Sequence, residues 1–225
     1  MCGIVGYIGR RDAVPVLLEG LRSLEYRGYD SAGLAVIYRN KLQVTKTAGR
    51  VQDLRDKVSE RTKATIGIGH TRWATHGEPN EVNAHPHTDT EALAHMIAAE
   101  AANEVSLEDA VARVLRRVEG TYGLVVLDIK HPNELVVARN GSPIVLGIGE
   151  AEMFVASDVA ALVRYTKQVV YLDDAEVVTV HADGYRTSAL DERDRRSPGG
   201  RKTPTTVEAE AGDYELGPYE DFMRK

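Results

Sequence analysis

The sequence predicts an α+β fold of antiparallel sheets with helices gathered on their outer faces. Three observations carry that prediction. Short apolar segments of strand length follow one another at hairpin spacing from residue 123 to 181. The longer helical periodicities all fall before residue 120, interleaved with glycine-bearing strands. The 225 residues are 43% hydrophobic and 28% charged, enough apolar material for a sizeable core.

In chain order, residues 3–8 (GIVGYI) form a strand whose glycines indicate close backbone approach. A helix from Asp12 places Val14, Leu17, Leu18, Leu21 and Leu24 on one face, with Pro15 tolerated in its first turn. Residues 32–38 and 41–46 make a hairpin turning at Arg39 and Asn40. A helix over 50–61 and a strand over 64–69 follow, then a loop over 70–87 dense in polar and aromatic groups. Two helices occupy 89–102 and 107–118, the second opened by a capping-box-like Ser106 and Asp109. Strands then cover 123–129, 134–139, 143–148, 152–155, 168–172 and 176–181, with a short helix near 158–165. Residues 191–204 (DERDRRSPGGRKTP) read as an exposed charged loop. No internal repeat is present.

A net charge of −6 and a pI near 5.7 favour neither nucleic acid nor an anionic membrane as partner. The apolar start is too short for a secretory signal and is cut off by Arg10, Arg11 and Asp12. A single cysteine forms no internal disulfide, so the expected setting is reducing and cytoplasmic.

That cysteine is Cys2, directly after the initiator methionine. It either starts a buried strand as an ordinary small residue or becomes the N-terminus once Met1 is removed. In the second case its own α-amine, with an ordinary pKa of about 7.7–8.0, can take the thiol's proton at neutral pH. Nucleophile and base then belong to one residue.

MCGIVG at the front, EYRGYDSAG (25–33) and HTRWATHG (70–77) together resemble the glutamine amidotransferases of the N-terminal-nucleophile type. The similarity is greatest to the glutaminase domains of glucosamine-6-phosphate synthases. It extends through VNAHPH (82–87), TDTEALAHM (88–96), ARNGSPIVLGIG (138–149) and FVASDVAAL (154–162).

The resemblance implies a four-layer αββα sandwich of two antiparallel sheets. It implies Cys2 as the catalytic nucleophile, glutamine as substrate and glutamate as product, with no cofactor. Arg72 matches the arginine that binds the substrate carboxylate, a role a planar guanidinium suits. Asp89 matches the aspartate that pairs with the substrate ammonium, although it equally suits the N-cap of the following helix. Thr75 and His76 match residues that touch the same end of the substrate, and Trp73 sits where a loop closes over the site. Arg27 and Gly28 resemble a turn that positions the nucleophile. A zinc set of His76, His85, His87 and Asp89 can be drawn, but the family accounts for these residues without metal. Residues 1–212 would be the glutaminase domain and 213–225 the start of a linker to a C-terminal sugar-phosphate isomerase domain, the full-length protein being a homodimer.

The resemblance breaks at one place. The family runs from HPH through a strand bearing His-Asn-Gly and a helix before reaching TDTE, whereas here Thr88 follows His87 at once. The missing Asn-Gly supplies oxyanion donors, and losing one such donor costs on the order of 100–1000-fold in rate. An active glutaminase whose molecule does carry that segment between His87 and Thr88, an engineered or spliced deletion, and a natural glutamine-binding or assembly module without turnover all remain open. So does the glutaminase domain of another amidotransferase, such as the one that opens purine synthesis.

Overall fold

The structure is a computed structural model and describes residues 2–59, 61–72, 89–190 and 202–208, with Asp89 described in its backbone only. Strand β1 (Gly3–Gly9) and helix α1 (Ala13–Ser23) open the chain. The Asp12 side chain caps α1 by accepting from Val14 N at 3.2 Å. Strands β2 (Ser31–Tyr38) and β3 (Lys41–Ala48) form the expected hairpin. Its turn residues Arg39 and Asn40 both have positive φ, 51° and 57°, the geometry that matches strand twist. Helix α2 (Val51–Lys57) and strand β4 (Ile66–Arg72) follow, then helices α3 (Asp89–Ala101) and α4 (Leu107–Leu115).

The second half supplies β5 (Tyr122–Val126), β6 (Leu135–Asn140), β7 (Val145–Gly149), β8 (Glu152–Ala156), β9 (Gln168–Tyr171), β10 (Glu176–His181), β11 (Gly184–Ala189) and β12 (Thr205–Thr206). An eight-stranded sheet has the order β12-β9-β7-β8-β1-β4-β2-β3, and a four-stranded sheet the order β11-β10-β6-β5. Every neighbouring pair of strands is antiparallel.

Three apolar clusters separate four layers. Leu17, Leu21 and Leu24 of α1, with Leu54 of α2, pack on Val5, Leu34 and Val36 of the larger sheet. Ile8, Ile37 and Val155 of that sheet meet Leu135, Val137 and Val178 of the smaller one. Leu107, Val111 and Leu115 of α4 cover the outer face of the smaller sheet at Val136 and Val177. This is the αββα arrangement the sequence led us to expect. α1 lies close on β4 because Gly69 has no side chain: a Cβ there would stand 2.9 Å from Leu21 Cδ1.

Four details differ from the sequence expectations. β4 runs on to Arg72, so His70, Thr71 and Arg72 belong to a strand and not to a loop. The helix expected near 158–165 is a single turn over Val159–Ala161. β11 was not anticipated, and neither was β12, which joins the sheet edge at β9. Among the described residues, no helix is long and apolar enough to cross a membrane.

Candidate active site

β1 lies in the interior of the larger sheet, paired with β4 on one side and β8 on the other. Cys2 stands immediately before its first residue and is part-exposed with a free thiol. The β1–β4 register pairs Gly3 with Thr71 and Ile4 with His70. Carried one residue further, that register sets Cys2 opposite Arg72.

Alternation along the strands puts both residues on one face. Ile8 of β1 and Ile66 of β4 pack between the two sheets. Cys2 shares the parity of Ile8, and Arg72 that of Ile66. The same row continues to β2, where Ser31 pairs with Arg72. Arg72 is only 7% exposed and Ser31 2%. Strand alternation thus places Cys2 and the buried Arg72 toward the inter-sheet side at one end of the sheet.

Gly3 makes this close approach possible. A Cβ on it would lie 2.5 Å from Thr71 Oγ1 and 2.8 Å from Leu24 Cβ. Any side chain at residue 3 would push the head of β1, and Cys2 with it, away from β4.

The turn at Arg27 and Gly28 packs beside this strand head. It forms a single 3₁₀ turn over Glu25–Arg27, closed by Gly28 N donating to Glu25 O at 3.1 Å. The buried Arg27 guanidinium donates from Nη1 to Ser157 O at 2.8 Å and to Asp158 Oδ2 at 2.9 Å. Tyr26 donates its hydroxyl to the same Asp158 oxygen at 2.8 Å. Burial raises the Tyr26 pKa, and the hydrogen bond to Asp158 raises it further. Ser157 reaches β1 itself, accepting from Ile4 N through its hydroxyl at 3.0 Å.

The remaining expected site residues cannot be set into this geometry. Trp73, Thr75 and His76 lie outside the described residues, as do His85 and His87 of the drawn zinc set. Asp89 is the first residue of α3, and its side chain is not described. Among the described residues, no group of three or more His, Cys, Asp or Glu side chains is arranged to hold a metal ion. Tyr26, Ser157 and Asp158 were not singled out from sequence. The only signal was the Ser-Asp step within FVASDVAAL, where a strand gives way to a capped turn.

This four-layer sandwich, with a thiol at residue 2 and a buried Arg72, resembles the class of the glutamine amidotransferases. Within that class its sequence similarity lies with the glutamine–fructose-6-phosphate aminotransferases. It is 42% identical to the isomerizing enzyme of Bacteroides thetaiotaomicron, matching all of this chain and 42% of that protein. It is 40% identical to those of Chlorobaculum tepidum and Mycobacterium tuberculosis, again over all of this chain and over 42% and 43% of theirs. The chain thus spans less than half the length of these curated relatives. The alignment with the Chlorobaculum protein runs over 266 positions against 225 residues here, so the relative carries residues this chain lacks. No family model matches the chain.

Two solved structures share the fold at 22% identity, each covering 85% of this chain. They are the Bacillus subtilis glutamine phosphoribosylpyrophosphate amidotransferase, with a TM-score of 0.73, and an allosteric regulatory enzyme of purine biosynthesis, with 0.75. They cover 50% and 49% of those chains.

Proposed function

We propose that this chain is a glutaminase that hydrolyses glutamine to glutamate and ammonia through a thioester on Cys2. The ammonia then aminates fructose 6-phosphate to glucosamine 6-phosphate on a sugar-phosphate isomerase domain beyond this chain. The observation that supports the reading is the β1–β4 register, which, continued past Gly3 and Thr71, brings Cys2 toward the buried Arg72. The activity for which the relatives are named supports the choice of reaction.

With Met1 removed, the Cys2 α-amine takes the thiol proton and Sγ attacks the side-chain amide carbon of glutamine. The C–N bond breaks as the amine returns that proton to the leaving nitrogen, which departs as ammonia. Water then attacks the thioester, releasing glutamate and restoring the thiol. Arg72 holds the substrate carboxylate as a guanidinium fork. Asp89 holds the ammonium, Thr75 and His76 contact the same end, and Trp73 excludes water. Arg27 and Gly28 keep the nucleophile in place. Dimerisation of the full-length protein and a reducing, cytoplasmic setting belong to the same reading.

Glutamate release from glutamine by the chain with Met1 removed is the test. Cys2→Ala abolishes it, and a chain that keeps Met1 folds but does not turn over. Equal rates with and without Met1 overturn the role of the amine. In the longer protein, formation of phosphoribosylamine in place of glucosamine 6-phosphate overturns the assignment of the acceptor.

A second reading rests on the direct junction of His87 and Thr88 and on the residues the relatives have in addition. It makes the chain a glutamine-binding or assembly module without turnover. Glutamine binding by calorimetry with no glutamate release would place it first.

A further inference from the structure

At the head of β1 the antiparallel ladder departs from its regular pattern. Beyond the Val5–Ala156 pair, Ile4 faces Ser157. A regular hydrogen-bonded pair exchanges both N–H···O=C bonds. One is made: Ser157 N donates to Ile4 O at 3.0 Å. The other is replaced, because Ile4 N donates to the Ser157 hydroxyl oxygen at 3.0 Å. The Ser157 carbonyl is thereby left to accept from Arg27 Nη1 at 2.8 Å.

The next residue completes the arrangement. Asp158 receives the same Arg27 nitrogen on Oδ2 and caps the following turn through Oδ1, which accepts from Ala160 N at 3.1 Å. Ser157 is 6% exposed and Arg27 7%, so water does not readily substitute for a lost partner.

From this exchange of hydroxyl for carbonyl we infer that Ser157 and Asp158 are positioning residues for the nucleophile. They fix the head of β1 two residues from Cys2 and tie it to the Arg27 turn. The inference rests on the glutaminase reading, which it deepens. Without the Ser157 hydroxyl, either Ile4 N–H is left unpaired or Ser157 O swings to it and releases Arg27. In both cases the thiol loses its fixed position. Misplacement of a reacting group by about 1 Å costs on the order of 100-fold in rate.

The test compares Ser157→Ala, Ser157→Thr and Asp158→Asn in the 225-residue chain with Met1 removed. Ser157→Ala lowers kcat for glutamine hydrolysis about 10–100-fold while KM stays within about threefold, because substrate binding is untouched. Ser157→Thr, which keeps the hydroxyl, restores kcat to within about threefold of the unsubstituted chain. Cys2 is the sole thiol, so iodoacetamide labelling reports on it alone. Release of the strand head accelerates that labelling at least about threefold in Ser157→Ala.

A Ser157→Ala protein with unchanged kcat and unchanged labelling, whatever its Tm, overturns the inference and leaves Ser157 a structural tie. Asp158→Asn keeps the side-chain shape and is expected to move both readouts in the same direction, which covers a Ser157→Ala chain that does not fold. If the unsubstituted chain releases no glutamate, the glutaminase reading fails by itself. The labelling rates then decide the positioning claim, acceleration supporting it and equality overturning it.

Discussion

The two ends of β1 carry the same three chemical groups in different settings. At the far end Tyr7 donates to Glu152 Oε2 at 2.9 Å, and Arg11 donates to Glu152 Oε1 at 2.6 Å. At the near end, beside Cys2, Tyr26 and Arg27 both donate to Asp158. In the far trio Tyr7 and Glu152 are built into the ladder, and Arg11 comes from the bend that follows β1. Glu152 is 2% exposed and pairs in register with Gly9 and Gly149. Both glycines leave room for it, since a Cβ at Gly9 would stand 2.3 Å from Glu152 Cβ. The near trio comes from turns, and its arginine also holds the backbone carbonyl of Ser157. The difference teaches that one device can serve cohesion when a strand supplies its carboxylate and aim when a turn supplies it.

The sharpest way to break this comparison is to remove Glu152. Glu152→Ala leaves the buried Tyr7 hydroxyl with only its bond from Arg11 N. Arg11 is half-exposed and can turn to water, so the loss is smaller than for a fully buried pair. We expect a destabilisation of about 2–3 kcal/mol, or roughly 5–10 °C in Tm for a domain of this size. The kcat of the folded fraction should stay unchanged. A fall in kcat without a fall in Tm would erase the distinction between the two ends.

A smaller effect separates the tyrosines by titration. Burial, with help from the Glu152 carboxylate, pushes the Tyr7 pKa up from 10.0 to about 12. A raised folded pKa means stability that is complete below the unfolded value and is lost as pH rises through the folded one. The window for Tyr7 is therefore pH 10 to 12. Tyr26 is also raised, for the same two reasons, and adds to the slope. Tyr7→Phe should flatten the decline of denaturant midpoint across that window, and Tyr26→Phe should flatten what remains. An unchanged slope in both variants would mean that neither hydroxyl is held in its protonated form by the fold.

What the sequence made legible was local. The Arg39–Asn40 turn, the Asp12 cap and the apolar face of α1 depend on residues a few positions apart. The end of β4 was not legible because His70, Thr71 and Arg72 look like loop residues until β1 and β2 flank them. β11 was missed because its buried row, Tyr185 and Thr187, holds one large apolar residue, and the Glu108 partner of Arg186 and Ser188 lies on α4. At the site, Cys2, Arg27 and Arg72 stood out through motifs. Ser157 did not, because its bond to Ile4 joins residues 153 positions apart.

Glu108 sharpens the comparison from outside it: a carboxylate that holds a layer together with no tyrosine. Glu108 accepts from Thr179 Oγ1 at 2.6 Å, Ser188 Oγ at 2.7 Å and Arg186 Nη2 at 2.5 Å, joining α4 to β10 and β11. Burial alone would raise its pKa, but the three hydrogen bonds together outweigh burial and hold it below its ordinary 4.5. A depressed folded pKa means stability that is present above the unfolded value and is lost as pH falls through the folded one. The stability gap between the unsubstituted chain and Glu108→Gln should therefore hold from neutral pH down to about 4.5 and narrow below it. Denaturant midpoints on a pH series measure that gap. If it stayed constant through the acid range, the ionised form of Glu108 would not be what clamps α4 to the smaller sheet.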